Sequence, residues 1–499
     1  MLFCFYTWMG QSHNSHISFK LGRSLGNEVC ALIRNGILYF FVRVGNGVFA
    51  IATLAVFTRL LSQEEYGVYA LAMAAATIAS GVLFQWLNVA ISRFYPPHLD
   101  DPSKVMGVVS FGFWVATAVA ALIFIGLFPF LGVLGVESIT GIVLFLITIA
   151  LGLYTLALQV ANAESRPILY GQLSWVKGGG TLLAGFIFIH YGIGERGALL
   201  GFLAGLMLAV IVFAPALLSR LKLGSMDKRM AGNMFRYGLP LALNNLAIAT
   251  VDVADRFMIG ILLGVAQVAP YAIAYDLVQQ SVGPMMNVLF LAAFPLIVQA
   301  FDSAQDEPTR NRLHALGSNL LGLGLPVTAA VGFFAGDISE IILSNDYRQD
   351  ATTIMPWLAA AIFIGAFKSF YLDVVFQLRN ATKYQGYIAI LMVAVNIVLN
   401  LIFLPVYGAV AAAWSTLAAF TVGALSSWIW GRSFLMLPSL GKDFLRSAGA
   451  TTTMLVILHH LPSSPGTIWL SFKILVAIIT YAMLAWALDI AGFRKLLKV

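Results

Sequence analysis

The stretch Ser219-Arg220-Leu221-Lys222-Leu223-Gly224-Ser225-Met226-Asp227-Lys228-Arg229-Met230-Ala231-Gly232-Asn233-Met234-Phe235-Arg236 holds five of the chain's 29 lysines and arginines and separates two long apolar territories. On either side of it, windows of about 20 residues resolve segments long enough to cross a bilayer. Six precede it, near 36–61, 66–92, 105–130, 138–162, 168–190 and 197–219. Eight follow it, near 237–262, 268–299, 314–335, 354–378, 385–405, 407–430, 447–461 and 467–490. With the N-terminus inside, the inner loops hold 21 basic residues, and the outer side with its helix ends holds five: Arg59, Arg196, Arg256, Arg348 and Lys473. The remaining three, Arg43, Lys177 and Lys368, fall within spans. One inserted or deleted span would reverse every later loop and erase the asymmetry. The predicted fold is therefore an all-α polytopic membrane protein of about 14 transmembrane helices, with both termini cytoplasmic.

Composition agrees. The chain is 60% hydrophobic and 10% charged, the reverse of a soluble protein of this length. Its net charge of +7 lies in short alternate loops, where it sets topology, so no nucleic-acid partner is expected. Cys4 and Cys30 both precede the first span, which excludes a disulfide framework. Residues 2–8 are too short for the apolar region of a cleavable signal and lack a basic start. The longest outer loop, near 336–353, is too small for an extracytoplasmic domain, so the activity is expected within the membrane. The predicted organisation is an N-terminal cytoplasmic arm (1–33), an N-lobe of spans one to six (34–219), a basic cytoplasmic linker (220–236), a C-lobe of spans seven to twelve (237–432), and a C-terminal helix pair with its tail (433–499).

The two halves share a weak repeat. Leu60-Leu61-Ser62-Gln63-Glu64-Glu65-Tyr66-Gly67-Val68-Tyr69-Ala70-Leu71-Ala72 aligns with Leu262-Leu263-Gly264-Val265-Ala266-Gln267-Val268-Ala269-Pro270-Tyr271-Ala272-Ile273-Ala274, each joining the first span of a half to its second. Tyr191-Gly192 and Tyr407-Gly408 mark the tight turn between the fifth and sixth spans of each half. Six is an even number, so both halves enter from one side and the repeats are parallel, two lobes facing a central cavity. Chance likeness between apolar helices is the alternative reading of the alignment.

Residues 34–432 resemble the polysaccharide-exporter branch of the flippase superfamily that also holds lipid II flippases and multidrug and toxin extruders. The resemblance rests on Arg59-Leu60-Leu61-Ser62-Gln63-Glu64-Glu65-Tyr66-Gly67-Val68-Tyr69, on Asp255-Arg256-Phe257-Met258-Ile259-Gly260 and on Ala293-Phe294-Pro295. It rests most on Asn396-Ile397-Val398-Leu399-Asn400-Leu401-Ile402-Phe403-Leu404-Pro405-Val406-Tyr407-Gly408-Ala409-Val410-Ala411-Ala412-Ala413. The first string and the two extra spans favour the glycan-lipid branch over the drug extruders. The resemblance implies movement of undecaprenyl-pyrophosphate-linked oligosaccharide repeat units from the inner to the outer leaflet of a bacterial inner membrane, for exopolysaccharide or O-antigen synthesis. It implies membrane lipids, a glycan polymerase and chain-length or export proteins as partners. A short thirteenth span ending in His459 and His460 departs from the pattern.

Such a cargo needs cations and hydrogen-bonding groups in a wet cavity, and ionisable groups at span depth are costly unless solvated or paired. Arg43, flanked by Gly45-Asn46-Gly47, is a candidate phosphate contact, against snorkelling to the inner headgroups. Lys177 precedes Gly178-Gly179-Gly180, which either break the helix at depth or allow close lobe packing. Lys368, near mid-depth, completes the cationic set; Asp373, five residues on, does not share its face of an α-helix, so an internal pair is not expected. In span seven Asn245, Asp252 and Arg256 share a stripe. Asp252 is a candidate partner of Arg43 or Lys177 or an ion site, while Asp255 and Arg256 either contribute to the cavity or form an interfacial ion pair. In span eight Asp276 and Gln280 lie one turn apart, before a possible kink at Pro284. Asp255, Asp276 and Asp373, with Asp252, are the candidate ion-coupling or polar cavity groups. Gln85, Asn88, Trp86 and Trp175 are either sugar contacts or helix–helix glue.

Enzyme signals are poor. There is no HExxH, GxSxG or P-loop, Asp100-Asp101 reads as a solvated charge cluster, and the paired histidines lack further ligands at metal spacing. No catalytic residue, metal or cofactor is expected. The rival readings are a drug or cation antiporter of the same superfamily, which needs an acidic, aromatic cavity, and a membrane glycosyltransferase or polymerase, which needs a large outer loop or acidic cluster.

Overall fold

The computed structural model describes residues 41–130, 137–215, 227–379, 381–462, 466–492 and 494, without the side chains at 240, 241, 243–245, 247, 248, 251 and 252. The 1–33 arm lies outside them. Every regular element among the described residues is helical. In chain order these are α1 (Phe41–Leu60), α2 (Gln63–Phe94), α3 (Ser103–Leu127), α4 (Ser138–Ala163), α5 (Pro167–Phe188), α6 (Glu195–Phe213), α7 (Lys228–Leu262), α8 (Val268–Asp302) and α9 (Asp306–Phe333). Then follow α10 (Ala335–Ile342), α11 (Asn345–Phe367), α12 (Val374–Leu378), α13 (Lys383–Tyr407), α14 (Val410–Gly431), α15 (Gly441–His459) and α16 (Thr467–Ala487).

Twelve helices are long and apolar enough to cross a membrane, among them α11 and α12 joined as one broken span. The two other predicted spans are helices too, α7 and α15, but more polar ones. Six charged residues stand along α7, among them Asp252, Asp255 and Arg256 deep in the helix; α15 has only 19 residues and opens with Lys442, Asp443 and Arg446. The charged half of the predicted linker is itself helical, because Asp227 caps α7. Its carboxylate accepts the backbone N–H of Arg229 at 2.9 Å and Met230 at 3.1 Å. The Met230 bond, with that from Arg229, holds this acid below the usual carboxylate range.

Local chemistry sets the other boundaries. Ser62 and Glu65 form a capping box that starts α2 two residues after α1 ends. Gly192 (φ +79°) and Gly408 (φ +70°) take the left-handed backbone that ends α5 and α13 before the tight turns into α6 and α14. The three glycines after Lys177 leave α5 intact. They serve packing: Gly178 lies against Phe49, and Gly180 against Gly205 of α6. Nor do Pro284 and Pro295 interrupt α8, which runs through both.

Two apolar cores organise the bundle. One joins α2, α3, α4 and α6, with Leu173 of α5 and Met234 of α7. The other joins α8, α9, α11, α13 and α14 and takes in Leu54, Phe57, Leu61, Tyr66 and Ala70 of α1 and α2. This second core clamps the corner between α1 and α2, at the end of the bundle poor in basic residues. There Tyr347 donates its hydroxyl to the Leu61 carbonyl at 2.8 Å, Gln63 its amide to that of Asp346 at 2.6 Å, and Arg59 its guanidinium to that of Ile341 at 2.9 Å. The segment read as a loop near 336–353 is thus α10 and the first turns of α11, a clasp over that corner.

A Cβ added to Gly67 of α2 would lie 2.1 Å from the carbonyl oxygen of Val265 between α7 and α8. Backbone cannot swing aside, so Gly67→Val is expected to cost about 1–3 kcal/mol and lower Tm in detergent. Gly126→Val, where an added Cβ meets nothing within 4 Å, is the control expected to leave Tm unchanged.

Candidate functional site

Helices α1, α2, α5, α6 and α8 enclose a cavity of about 270 Å³, whose polar lining includes Asn46, Tyr66, Tyr69, Lys177, Asp276 and Gln280. Phe49, Phe57 and Phe202 supply aromatic wall. The Lys177 ammonium lies 5.0 Å from the centre of the Phe202 ring, a cation–π contact. Among the described residues no carboxylate stands within ion-pair distance of it. Across the cavity, Asp276 is answered from behind by Arg256 at 2.6 Å, the guanidinium also lying over the Tyr275 ring. The acid is 44% exposed and the guanidinium only 12%, so the carboxylate faces the cavity with its charge already balanced. Among the described residues, the surplus charge at this cavity is the ammonium of Lys177.

Of the sequence candidates, the structure brings Lys177, Asp276 and Gln280 onto one cavity. Arg256 stands directly behind, paired with Asp276 and not with its neighbour Asp255. Asn245 and Asp252 have side chains outside the described residues. Arg43 lies a turn before Asn46 and donates to the side-chain oxygen of Asn287 in α8 at 2.8 Å, linking α1 to α8 beside the cavity. Trp175 donates to the Val42 carbonyl at 3.1 Å, and Asn88 to Thr155 at 3.2 Å, both contacts between helices.

Lys368 requires a correction. Five residues of α-helix would hold Lys368 and Asp373 on different faces. The backbone instead forms a π turn at Lys368–Leu372, in which the Asp373 N–H donates to the Lys368 carbonyl at 2.9 Å. That wider turn stacks the two side chains, and they form a buried ion pair at 2.7 Å. Lys368 is therefore spoken for and does not line the cavity of Lys177.

A second polar centre lies among α7, α8, α13 and α14. Asp255 is fully buried. One carboxylate oxygen accepts the amides of Asn396 at 2.9 Å and Asn400 at 2.6 Å; the other accepts the hydroxyls of Tyr271 and Thr416. All four donors are neutral. Two other described carboxylates within spans have cations, Asp276 with Arg256 and Asp373 with Lys368; Asp337 of the α10 clasp has Lys473 at 3.0 Å. The alternative of an interfacial ion pair for Asp255 and Arg256 is excluded by these partners. Sequence reasoning gave Asn396, Asn400, Thr416 and Tyr271 no site role. The usable signal was two asparagines one helical turn apart in an apolar helix, which put two amides on one face.

The chain matches the family described as "Polysaccharide biosynthesis protein" over residues 56–352. No curated protein sequence matches it. Among solved structures it is similar to the lipid II flippase MurJ in an inward closed conformation, with a TM-score of 0.71 and 15% identity over 93% of this chain and 100% of that one. It is similar to an inward-facing multidrug resistance MATE family transporter of the MOP superfamily, with a TM-score of 0.63 and 13% identity over 80% and 97%. A third, a MOP superfamily transporter from Pyrococcus furiosus, gives 0.58 and 14% over 81% and 95%. These likenesses establish the fold.

The two cavity cations respond oppositely to removal. Lys177→Met deletes a half-buried ammonium that has no ion-pair partner among the described residues, and is expected to leave Tm unchanged or raised. Arg256→Met orphans Asp276 and is expected to cost about 1–3 kcal/mol, read as a lower Tm of the purified protein.

Proposed function

We propose, from the premise that the chain belongs to the polysaccharide biosynthesis protein family, that it is a flippase for polyprenyl-pyrophosphate-linked oligosaccharide repeat units. The observation that carries this reading is the ammonium of Lys177, without an ion-pair partner among the described residues, on a polar and aromatic cavity inside an apolar bundle. A pyrophosphate cannot enter hydrocarbon alone, whereas its polyprenyl tail need never leave it. Lys177 meets the phosphates, the hydroxyls and amides of Tyr66, Tyr69, Asn46 and Gln280 meet sugar or phosphate oxygens, and the aromatic wall offers faces for sugar rings. Arg43 approaches the same ligand when its bond to Asn287 opens. The balanced pair of Arg256 and Asp276 leaves the cavity cationic, which disfavours a cationic drug as cargo.

The lobes, 34–219 and 237–432, rock about this cavity to present it to each leaflet in turn, in a bacterial inner membrane with both termini cytoplasmic. The repeat unit released outside then passes to a glycan polymerase. Asp255 is the coupling group. A carboxylate buried among neutral donors holds a proton or a small cation, and its occupancy biases how α7, α13 and α14 pack. Rotating the two asparagine amides turns oxygen toward the centre, so the same side chains suit either occupant. The driving force is an ion gradient or the membrane potential, about 2.3 kcal/mol per charge per 100 mV.

The test is the sidedness of lipid-linked oligosaccharide in a deletion strain, probed with a membrane-impermeant glycan reagent. Complete repeat units are expected to accumulate on the inner face while polymer is lost; normal polymer overturns the reading. Lys177→Met with Arg43→Met is expected to reproduce the deletion phenotype at normal protein level, while unchanged export removes the cationic cavity from the mechanism. For the coupling group, Tm of purified protein is expected to rise with added sodium at constant ionic strength, or with falling pH. Asp255→Asn is expected to abolish that response.

A further inference from the structure

The ion pair of Lys368 and Asp373 has no part in the cavity or in the Asp255 centre, yet it is built with care. Lys368 is 2% exposed and Asp373 4%. Beyond its bond to the ammonium, the Asp373 carboxylate accepts the Ser427 hydroxyl of α14 at 2.7 Å, and its backbone carbonyl accepts the Gln385 amide of α13 at 3.0 Å. Three helices thus converge on one irregular turn. A buried ion pair is a poor stabiliser, because desolvation offsets its attraction; its best-attested use is to fix register or to switch between arrangements. Here the register is explicit. In an uninterrupted α-helix residues five apart point about 140° away from each other, so this pair exists only while the turn is π.

The turn also stands between a packed seam to α8 and a hollow region. On one side Phe370 stacks on Phe290 of α8, ring centres 5.3 Å apart, one turn from Asn287, which holds Arg43. On the other side Phe367, Tyr371, Leu372 and Ser427 line a groove of about 490 Å³, closed by the 435–440 connector. Beyond the turn only the five residues of α12 remain before the helix ends. Reverting the π turn to α would rotate α12 by about 100° relative to α11 and pull Asp373 off both Lys368 and Ser427.

We propose that the π turn at Lys368–Leu372 is a hinge in the second half of the bundle, latched in the observed conformation by Lys368, Asp373 and Ser427. Unlatching lets α12 and its groove wall move against α8 as the cavity changes access. This rests on the alternating-access reading above, so its test includes a readout independent of export.

The variants are Lys368→Met with Asp373→Asn, which removes both charges together, and Lys368→Asp with Asp373→Lys, which reverses them. The readout is backbone hydrogen exchange across 368–378 in lipid nanodiscs, alongside Tm and export. The neutral pair is expected to keep the wild-type Tm within a few degrees, exchange this segment about tenfold faster as the latch opens, and export several-fold less. The reversed pair is expected to restore slow exchange and part of the export. Unchanged exchange in the neutral pair overturns the latch. Faster exchange with wild-type export shows a local staple and overturns the hinge. Loss of export in the deletion strain without inner-face accumulation strikes the transport reading and leaves the exchange result standing.

Discussion

A charge inside a bilayer must be answered by an opposite charge, by oriented dipoles or by water. The described charges at span depth sort by which answer they receive. Asp276 and Asp373 are answered by Arg256 and Lys368, the first pair joining two helices and the second bracing one irregular turn. Asp255 is answered by dipoles alone, and Lys177 by an aromatic face and the cavity. The first group holds the arrangement observed here, the Lys368 pair as the latch of its π turn. The second group carries the proposed mobile charges, a cation or proton at Asp255 and an anion at Lys177.

The packing follows the same division. The core of α8, α9, α11, α13 and α14 reaches over to the corner of α1 and α2, and the clasp of Tyr347, Gln63 and Arg59 uses backbone carbonyls as acceptors. The Leu61 and Ile341 carbonyls stand at helix C-termini, where a helix leaves them free in any case. These bonds break without stranding a charge, unlike the pair of Lys368 and Asp373. Seams built that way suit a surface that must open and close, while close contacts such as Gly180 on Gly205 suit helices that move together.

Much of this fold was legible in the sequence because its signals are local or cumulative. Apolar length and basic-loop asymmetry need no knowledge of helix rotation, and the Tyr-Gly turns at 191–192 and 407–408 announce their backbone in the residue type. The placing of Lys177, Asp276 and Gln280 came from depth and helical spacing. What failed was facing. Ideal α geometry separated Lys368 from Asp373, and one π turn reversed the answer. The centre at Asp255 draws on α7, α8, α13 and α14, positions up to 161 residues apart, and no spacing rule reaches across that distance. The extended motif carrying Asn396 and Asn400 was visible as a family string, but its role depends on a carboxylate contributed from elsewhere.

Substrate and ion need not touch for one to drive the other. Arg256 and Asp255 are adjacent on α7, about 100° apart around the helix, one meeting Asp276 at the cavity and the other the buried centre. A shift of α7 that relaxes the donors around Asp255 must also move the guanidinium that balances Asp276. Emptying the buried centre would then alter how much negative charge the cavity presents to an anionic ligand beside Lys177. A single helix carrying two differently answered charges is sufficient to link the two sites, with no relay of side chains between them.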